Sequence, residues 1–475
     1  MKKAYQKLSP ETLRRLADIV GPEDVLSERE KLEDFSHDEF SRREIGHYPE
    51  AVVKPERTEE VAAIMRLATT EHIPVTPRGG ATGLSGGCVP LYGGIVLSLE
   101  KMNRLVEIDL ANQMAVVEPG VTLGDFSRAV EEAGLSFPPH PGDESAMIGG
   151  LIATNAGGSR AVKYGVIRNY VRGLEVVLPG GEIIQLGGKL VKSSTGYSLL
   201  HLLVGSEGTL GIVTRAVIQL LPAAPLSRSL VVPFDDVDSA VETVPLLMSR
   251  NVVPLAVEFI EQEVIRITEQ YLNKRWPTSA GRTCLLIILD ASTEEEMDRA
   301  SQEVAETCLE KGALDVFIAD TAKKQEVVLA IRSQIYEAIK SQTVEILDIC
   351  VPRAEIPGHV RRIREVAMKY GLWLPTFGHA ADGNVHTHIM KARYEEGQVI
   401  PVPEEEWREK AEAARTELYA DAKARGGVIS GEHGIGLVKK PFLPQALGPE
   451  QMELMKGLKR IFDPDGILNP GKIFD

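Results

Sequence analysis

Pro77-Arg78-Gly79-Gly80-Ala81-Thr82-Gly83-Leu84-Ser85-Gly86-Gly87 follows a short β-type run over 73–76 and decides how the first half of the chain folds. A turn this rich in glycine lets backbone N–H groups come close to phosphate oxygens, an approach that side chains at every position would block. In the doubly wound dinucleotide fold such a loop opens a helix on its last glycine. Here Cys88-Val89-Pro90-Leu91-Tyr92-Gly93-Gly94 follows, and its proline and paired glycines forbid a long helix and lead into another strand. The stretch reads as a phosphate loop between strands, with a plain glycine-rich turn as the competing reading.

Upstream, Ser9-Pro10-Glu11 opens the first of two short helices expected over 9–35, the serine capping and the proline fitting the first turn. A strand over 51–55 and a helix from Thr58 make a β-α-β unit with the run before the loop. Downstream, strands are expected over 94–99, 105–109 and 114–118, then a helix over 121–134 stopped by Gly134. The next segment, 137–159, is apolar yet full of glycine and proline, with side chains too small to build a core. It holds Pro141, Gly142, Asp143, Ser145, Ile148, Gly149, Gly150, Asn155, Gly157 and Gly158, and Tyr164-Gly165 comes soon after. Such backbone suits a large flat ligand lying against it. Strands over 171–186 and at Val191 and a helix over 199–203 lead to a third loop with Glu207, Gly208, Gly211, Ile212 and Val213. Three glycine-rich loops in one region imply one extended ligand carrying a diphosphate and a planar ring.

The 475 residues, 43% hydrophobic and 25% charged, suffice for two or three domains with a large core. A net charge of −15 with no basic stripe argues against a nucleic-acid partner. Cys88, Cys284, Cys308 and Cys350 include no Cys-x-x-Cys, so no zinc ribbon or iron–sulfur run is encoded, and a reducing cytoplasm is the natural setting. No signal-peptide core and no apolar run of membrane-spanning length is expected.

After Leu220-Leu221-Pro222-Ala223-Ala224-Pro225 the composition changes, which places a boundary at 225. Strands over 229–233, 256–260, 283–290 and 316–319 alternate with helices over 237–250, 263–271, 293–311 and 321–340, predicting an antiparallel sheet with helices on one face. Then comes Phe377-Gly378-His379-Ala380-Ala381-Asp382-Gly383-Asn384-Val385-His386-Thr387-His388, three imidazoles around a tight turn between β-type runs. A hairpin closed by that turn sets His379 roughly opposite His386 and puts His388 on the face of His386. A charged helix over 404–425 ends at Gly426-Gly427, and Gly431-Glu432-His433-Gly434 adds a carboxylate and a fourth imidazole between glycines. Imidazole and carboxylate suit zinc and similar ions, so two or three of these imidazoles with the Glu432-His433 pair form a candidate metal site, in which three protein ligands leave a position open for substrate. A polar cluster bracing a hairpin is the alternative.

Segments 77–87, 138–165 and 205–214 together resemble the FAD-binding domain of the vanillyl-alcohol oxidase type. From about residue 45 to Phe474 the chain resembles the branch holding the glycolate oxidase flavoprotein subunit, the FAD-linked D-lactate dehydrogenases and D-2-hydroxyglutarate dehydrogenase. The resemblance implies an α+β protein: an N-terminal helical segment 1–45, an FAD-binding domain 46–225, a cap or substrate domain 226–425 with the metal hairpin, and a segment 426–475 returning to the FAD domain. At the position where some members carry a histidine bonded to FAD this chain has Ala81, which implies non-covalent FAD. Asn469 contacts the flavin or is an ordinary turn asparagine.

The same resemblance assigns a divalent metal to His379, His386 and Glu432, the proton-accepting role to His433 and the substrate carboxylate to Arg332, with Tyr336 one turn further on; a solvated helix arginine is the other reading of Arg332. His388 contacts substrate or supports the ligands, and the ion is zinc, manganese or iron. No basic group follows in Val344-Glu345-Ile346-Leu347-Asp348-Ile349-Cys350, which favours D-lactate or glycolate over 2-hydroxyglutarate. The implied activity is oxidation of a D-2-hydroxy acid with hydride transfer to FAD. Electrons then leave to a partner, an electron-transferring flavoprotein or an iron–sulfur subunit, through which loose membrane association stays open. The alternatives are D-2-hydroxyglutarate dehydrogenase, an oxidase using oxygen directly, and a non-catalytic flavin-binding subunit, which has no need of Arg332, Glu432 and His433 together.

Overall fold

The computed structural model describes residues 4–39, 46–250 and 252–475. The chain forms two compact units, one of Met1–Gly157, Val166–Ala223 and Glu432–Asp475, the other of Gly158–Gly165 and Ala224–Gly431. The boundary expected at residue 45 falls in 40–45, outside the described residues.

Two larger sheets and a two-stranded ribbon of Leu135–Ser136 with Leu221–Pro222 build the first unit among the described residues. In one, Ile95–Ser98 runs parallel to Ala51–Val53 and to Val75–Arg78, and Val25–Leu26 adds antiparallel on Ala51–Val53. The other is antiparallel, ordered Leu105–Asp109, Met114–Val117, Ile212–Gln219, Val171–Val177, Ile183–Gly187. Helix Thr58–Glu71 carries Val61, Met65 and Ala68 at helical spacing and buries them with Val75, Ile95 and Leu97 of the first sheet and Val177 and Ile212 of the second. Ile467 and Leu468 enter the same core. There Val75 N–H donates to the Ile467 carbonyl at 2.8 Å and Asn469 N–H to the Val75 carbonyl at 2.7 Å, so the last residues lie along the strand that leads into the first glycine loop.

Two expectations fail in this unit. The second helix within 9–35 does not form: Gly21-Pro22 stops Pro10–Val20, and Val25–Leu26 pairs with Val52 and Val53 between short 3-10 turns. No strand forms at Val191, which is 72% exposed among exposed neighbours and so has no buried face to pack.

The second unit is a seven-stranded antiparallel sheet ordered Phe317–Ala319, Leu226–Phe234, Thr283–Ala291, Ala256–Glu261, Thr376–His379, Asn384–Met390, Thr343–Cys350. Helices cover both faces, not the single face expected. Gln262–Leu272, Ala322–Ser333 and Ile335–Ile339 pack through Val264, Val328, Ile331 and Ile335 onto Val231, Ile260, Phe377 and Met390. Val237–Ser249, Glu294–Glu310, Ile356–Tyr370 and Glu404–Ala424 gather on the opposite face. The strands demand this, because they are buried on both sides; every residue of Asn384–Met390 is buried. The helix expected over 321–340 breaks after Ser333, whose hydroxyl donates to the Ala330 carbonyl and competes with the helical ladder. Thr343–Cys350, to which the sequence pattern assigns no element, is the edge strand beside Asn384–Met390.

Candidate active site

In the first unit, the loop after Val75–Arg78 faces the segment before Ile148–Thr154. A Cβ on Gly80 would stand 3.0 Å from the Ser145 carbonyl oxygen, and one on Gly79 3.4 Å from Met147 Cβ and 3.8 Å from Gly150 N. Bare backbone is what lets the two loops approach. The N–H groups of Gly80, Ala81, Thr82, Gly83 and Leu84 find no acceptor among the described residues. The third loop closes against the first: a Cβ on Gly208 would lie 3.3 Å from Pro77 Cγ. Asn469 Nδ2 donates to the carbonyls of Gly87 (3.0 Å) and Glu207 (2.8 Å), while its buried Oδ1 meets no donor among the described residues. Backbone donors without acceptors and an orphaned amide oxygen fit a ligand bearing phosphate oxygens and a ring N–H, so these residues fit FAD.

Several residues of these loops serve the protein's own frame. Arg78 donates to the carbonyls of His37 (2.7 Å) and Asp34 (2.5 Å). Ile148 and Ile212 are core residues, and Val213 pairs with Val176 in the sheet. Gly149 and Gly211 are closed in by Pro119 Cβ and Val176 Cγ1, each 2.6 Å from an added Cβ. Beyond Pro141 and Gly142, Asp143 Oδ1 accepts the Ser145 N–H (2.8 Å) and hydroxyl (2.7 Å), and Asn155 Oδ1 accepts the Arg168 N–H (3.0 Å). Gly158, Tyr164 and Gly165 belong to the other unit, where the Tyr164 hydroxyl donates to Asp290 Oδ2 at 3.0 Å. The Glu207 carboxylate accepts the N–H groups of Ile435 (2.8 Å) and Gly436 (2.7 Å). Burial pushes this carboxyl up, against the pull of those N–H groups and of Lys439 and Lys472. Glu207 thus holds the turn that follows Glu432 and His433. Glu432 itself packs on Gly157, where a Cβ would stand 2.7 Å from Oε2, and its Oε1 lies 3.9 Å from His433 Nε2.

In the second unit the hairpin pairs His379 with Asn384 and His386 with Phe377. This corrects the expected pairing of His379 with His386; Asn384 is a strand residue and not the end of the turn. The slip is by an even number of residues, so Phe377, His379, His386 and His388 still share one face. The His379 and His386 rings meet edge to face with centroids 5.2 Å apart. His388, 1% exposed, stacks on Phe377 at 4.9 Å and lies 6.0 Å from the Tyr336 ring.

Two carboxylates that the sequence reading missed organise this face. Glu258 Oε1 is 2.6 Å from His379 Nδ1, and Oε2 accepts Arg332 Nε at 2.7 Å and Arg332 Nη2 as well. Burial alone would raise the Glu258 carboxyl, but the Arg332 and His379 charges outweigh it and hold it at about 2. Arg332 Nη1 has no acceptor among the described residues, and the guanidinium lies 5.5 Å from the Phe377 ring centre. Asp348, fully buried and paired in register with His386, accepts Asn384 Nδ2 (2.8 Å), the Ser430 hydroxyl (2.9 Å) and, at its main-chain oxygen, the Gly431 N–H (2.9 Å). It ties the residue before Glu432 to the strand of His386. The signal was present: an acid inside an otherwise apolar strand costs several kcal/mol unless a cation or donor meets it.

A family profile described as FAD linked oxidases, C-terminal domain, matches residues 224–473, and one described as FAD binding domain matches residues 49–187. The chain is 47% identical over 422 residues to a D-lactate dehydrogenase of Archaeoglobus fulgidus, covering 89% of this chain and 90% of that one. It is 37% identical to glycolate oxidase subunit GlcD of Bacillus subtilis, covering 98% and 97%. A solved structure of p-cresol methylhydroxylase superposes with a TM-score of 0.77 at 20% identity over 98% of this chain and 96% of that one, a likeness of fold. Among the described residues no helix is long and apolar enough to cross a membrane. With the flavin loops, the α+β architecture of the vanillyl-alcohol oxidase type and these relatives in view, the chain belongs to the family of FAD-linked oxidases, in the branch of FAD-dependent 2-hydroxy acid dehydrogenases.

Proposed function

We propose that this chain oxidises a short D-2-hydroxy acid, D-lactate or glycolate, to the 2-oxo acid, passing hydride to non-covalently held FAD and the electrons onward to a partner, an electron-transferring flavoprotein or an iron–sulfur subunit. The observation that carries the reading is one sheet face bearing two imidazoles, His379 and His386, beside the Arg332–Glu258 pair. A cation site and a carboxylate receptor side by side suit a molecule with adjacent hydroxyl and carboxylate oxygens.

His379 Nδ1 faces Glu258, and His379 Nε2 with His386 and Glu432 makes a donor set that zinc, manganese or iron accepts. When bound, FAD takes up hydride, and the divalent ion acidifies the substrate hydroxyl as a Lewis acid. Arg332 binds the substrate carboxylate through the N–H groups that Glu258 leaves, two on Nη1 and the second on Nη2. His433, next to Glu432 in sequence, accepts the hydroxyl proton on a ring nitrogen as the α-carbon loses hydride and its C–O bond becomes a carbonyl. His388 stacks on Phe377 and, with Tyr336, walls the same face. Thr343–Cys350 carries no lysine or arginine to meet a second carboxylate, which supports a monocarboxylate substrate over 2-hydroxyglutarate.

The test is anaerobic bleaching of the bound flavin by D- and L-lactate, glycolate and D-2-hydroxyglutarate, with and without a chelator. D-lactate or glycolate is expected to bleach it, the chelator to stop this and the added ion to restore it. Failure of every 2-hydroxy acid to bleach the flavin ends the proposal.

A further inference from the structure

Glu258 stands opposite His379 in strand register, so backbone pairing brings the two together before their side chains meet. It is 1% exposed, and both its oxygens are taken: Oε1 by His379 Nδ1 at 2.6 Å, Oε2 by Arg332 Nε at 2.7 Å and Nη2. In so dry a place charge-assisted hydrogen bonds are strong and directional. One carboxylate therefore sets the orientation of two side chains that belong to different helices and strands.

We propose that Glu258 is a positioning residue that fixes the ion-facing edge of His379 and the substrate-facing N–H of Arg332 together, and that its charge cancels that of Arg332, so the substrate carboxylate is held chiefly by the ion. The inference rests on the proposed function. The first part follows from tautomer: His379 donating from Nδ1 to Glu258 presents Nε2 as a lone-pair donor. The second follows from the guanidinium fork, in which the Nε–H and one Nη2–H are held by Glu258 and the remaining N–H groups, two on Nη1 and one on Nη2, are fixed on the opposite edge. The third follows from the charge sum. With His379 neutral, as an ion on Nε2 requires, Arg332 and Glu258 together carry none, and the net positive charge that an incoming carboxylate meets is the ion's.

The test uses the flavin-loaded full chain with Glu258→Gln, which keeps the shape and removes the charge. Zn²⁺ affinity by chelator competition is expected to fall about 10–100-fold, the usual cost of losing the partner of a metal-bound histidine. In ion-free protein the same variant is expected to bind oxalate, followed by perturbation of the flavin spectrum, more tightly than wild type, because Arg332 has lost its counter-charge. FAD content should not change. A merely structural role would not move the two affinities in opposite directions. Glu258→Asp keeps the charge but is one methylene too short to reach both partners, and its Zn²⁺ affinity is expected to fall several-fold. Unchanged Zn²⁺ affinity in either variant overturns the inference. A wild-type protein that binds no divalent ion strikes the proposed function instead.

Discussion

At Gly157 a hydrogen stands where any other residue would place a methyl group 2.7 Å from Glu432 Oε2 and 3.2 Å from its Cβ. The second contact lies at the root of the side chain, so Glu432 cannot swing aside without moving its backbone. Gly157→Ala is expected to keep FAD and lose on the order of 10²-fold in kcat/KM, the scale on which a displacement of about 1 Å acts in a catalytic site. Steady-state kinetics with a flavin-content control checks it, and unaltered kinetics would count against a role for Glu432. His433→Asn should slow anaerobic flavin reduction by about 10²–10⁴-fold, the share that a positioned base supplies; reduction at the wild-type rate removes His433 from the mechanism. The four imidazoles and the Glu-His pair were legible in the sequence because histidine is scarce and these cluster. For Glu258 and Asp348 the sequence marks only an acid inside an apolar run; which partner each meets depends on the residue across the sheet and was not legible.

For whole elements, parity mattered more than register. His379 pairs two residues away from where the turn Asp382-Gly383-Asn384 suggests, yet an even slip leaves every side chain on its face. The break at Ser333 and the helices on the second face escaped the reading because both depend on long-range packing. The strand Ala256–Glu261 also carries a measurable pH signature at its end. Burial, then the Glu263 charge, push the Glu261 carboxyl up to about 7 from 4.5, against the Thr376 N–H and Arg364. An acid whose folded pKa is raised keeps a proton that the unfolded chain has released. Stability therefore falls as pH rises between these two values and stays lower above them. Glu261→Gln should melt with the wild type near pH 4.5 and at a higher temperature than the wild type at pH 8. Calorimetry at the two pH values decides it, and a gap that does not widen with pH disproves the assignment.

Over the whole molecule, a formal charge of −15 sets the long-range field. Electrons leaving the reduced flavin should reach a cationic mediator faster than ferricyanide at low salt, with the difference vanishing near about 1 M salt, where the Debye length is about 3 Å. Stopped-flow reoxidation measures both, and identical salt responses would discount steering by net charge. Glycine loops and strand spacing announce two domains, but nothing local announces that Gly158–Gly165 joins the second unit or that Glu432–Asp475 joins the first. That last return couples two distant stretches of the chain. Val75–Arg78 and the glycine loop after it stand far earlier in the chain than the residues that hold them, Leu468, which lies along Val75, and Asn469, whose side chain reaches Gly87 and Glu207. Cofactor retention then depends on a distant clasp: a chain truncated before Leu468 is expected to be purified with far less FAD than the full chain, and equal flavin absorbance in the two would discount the clasp.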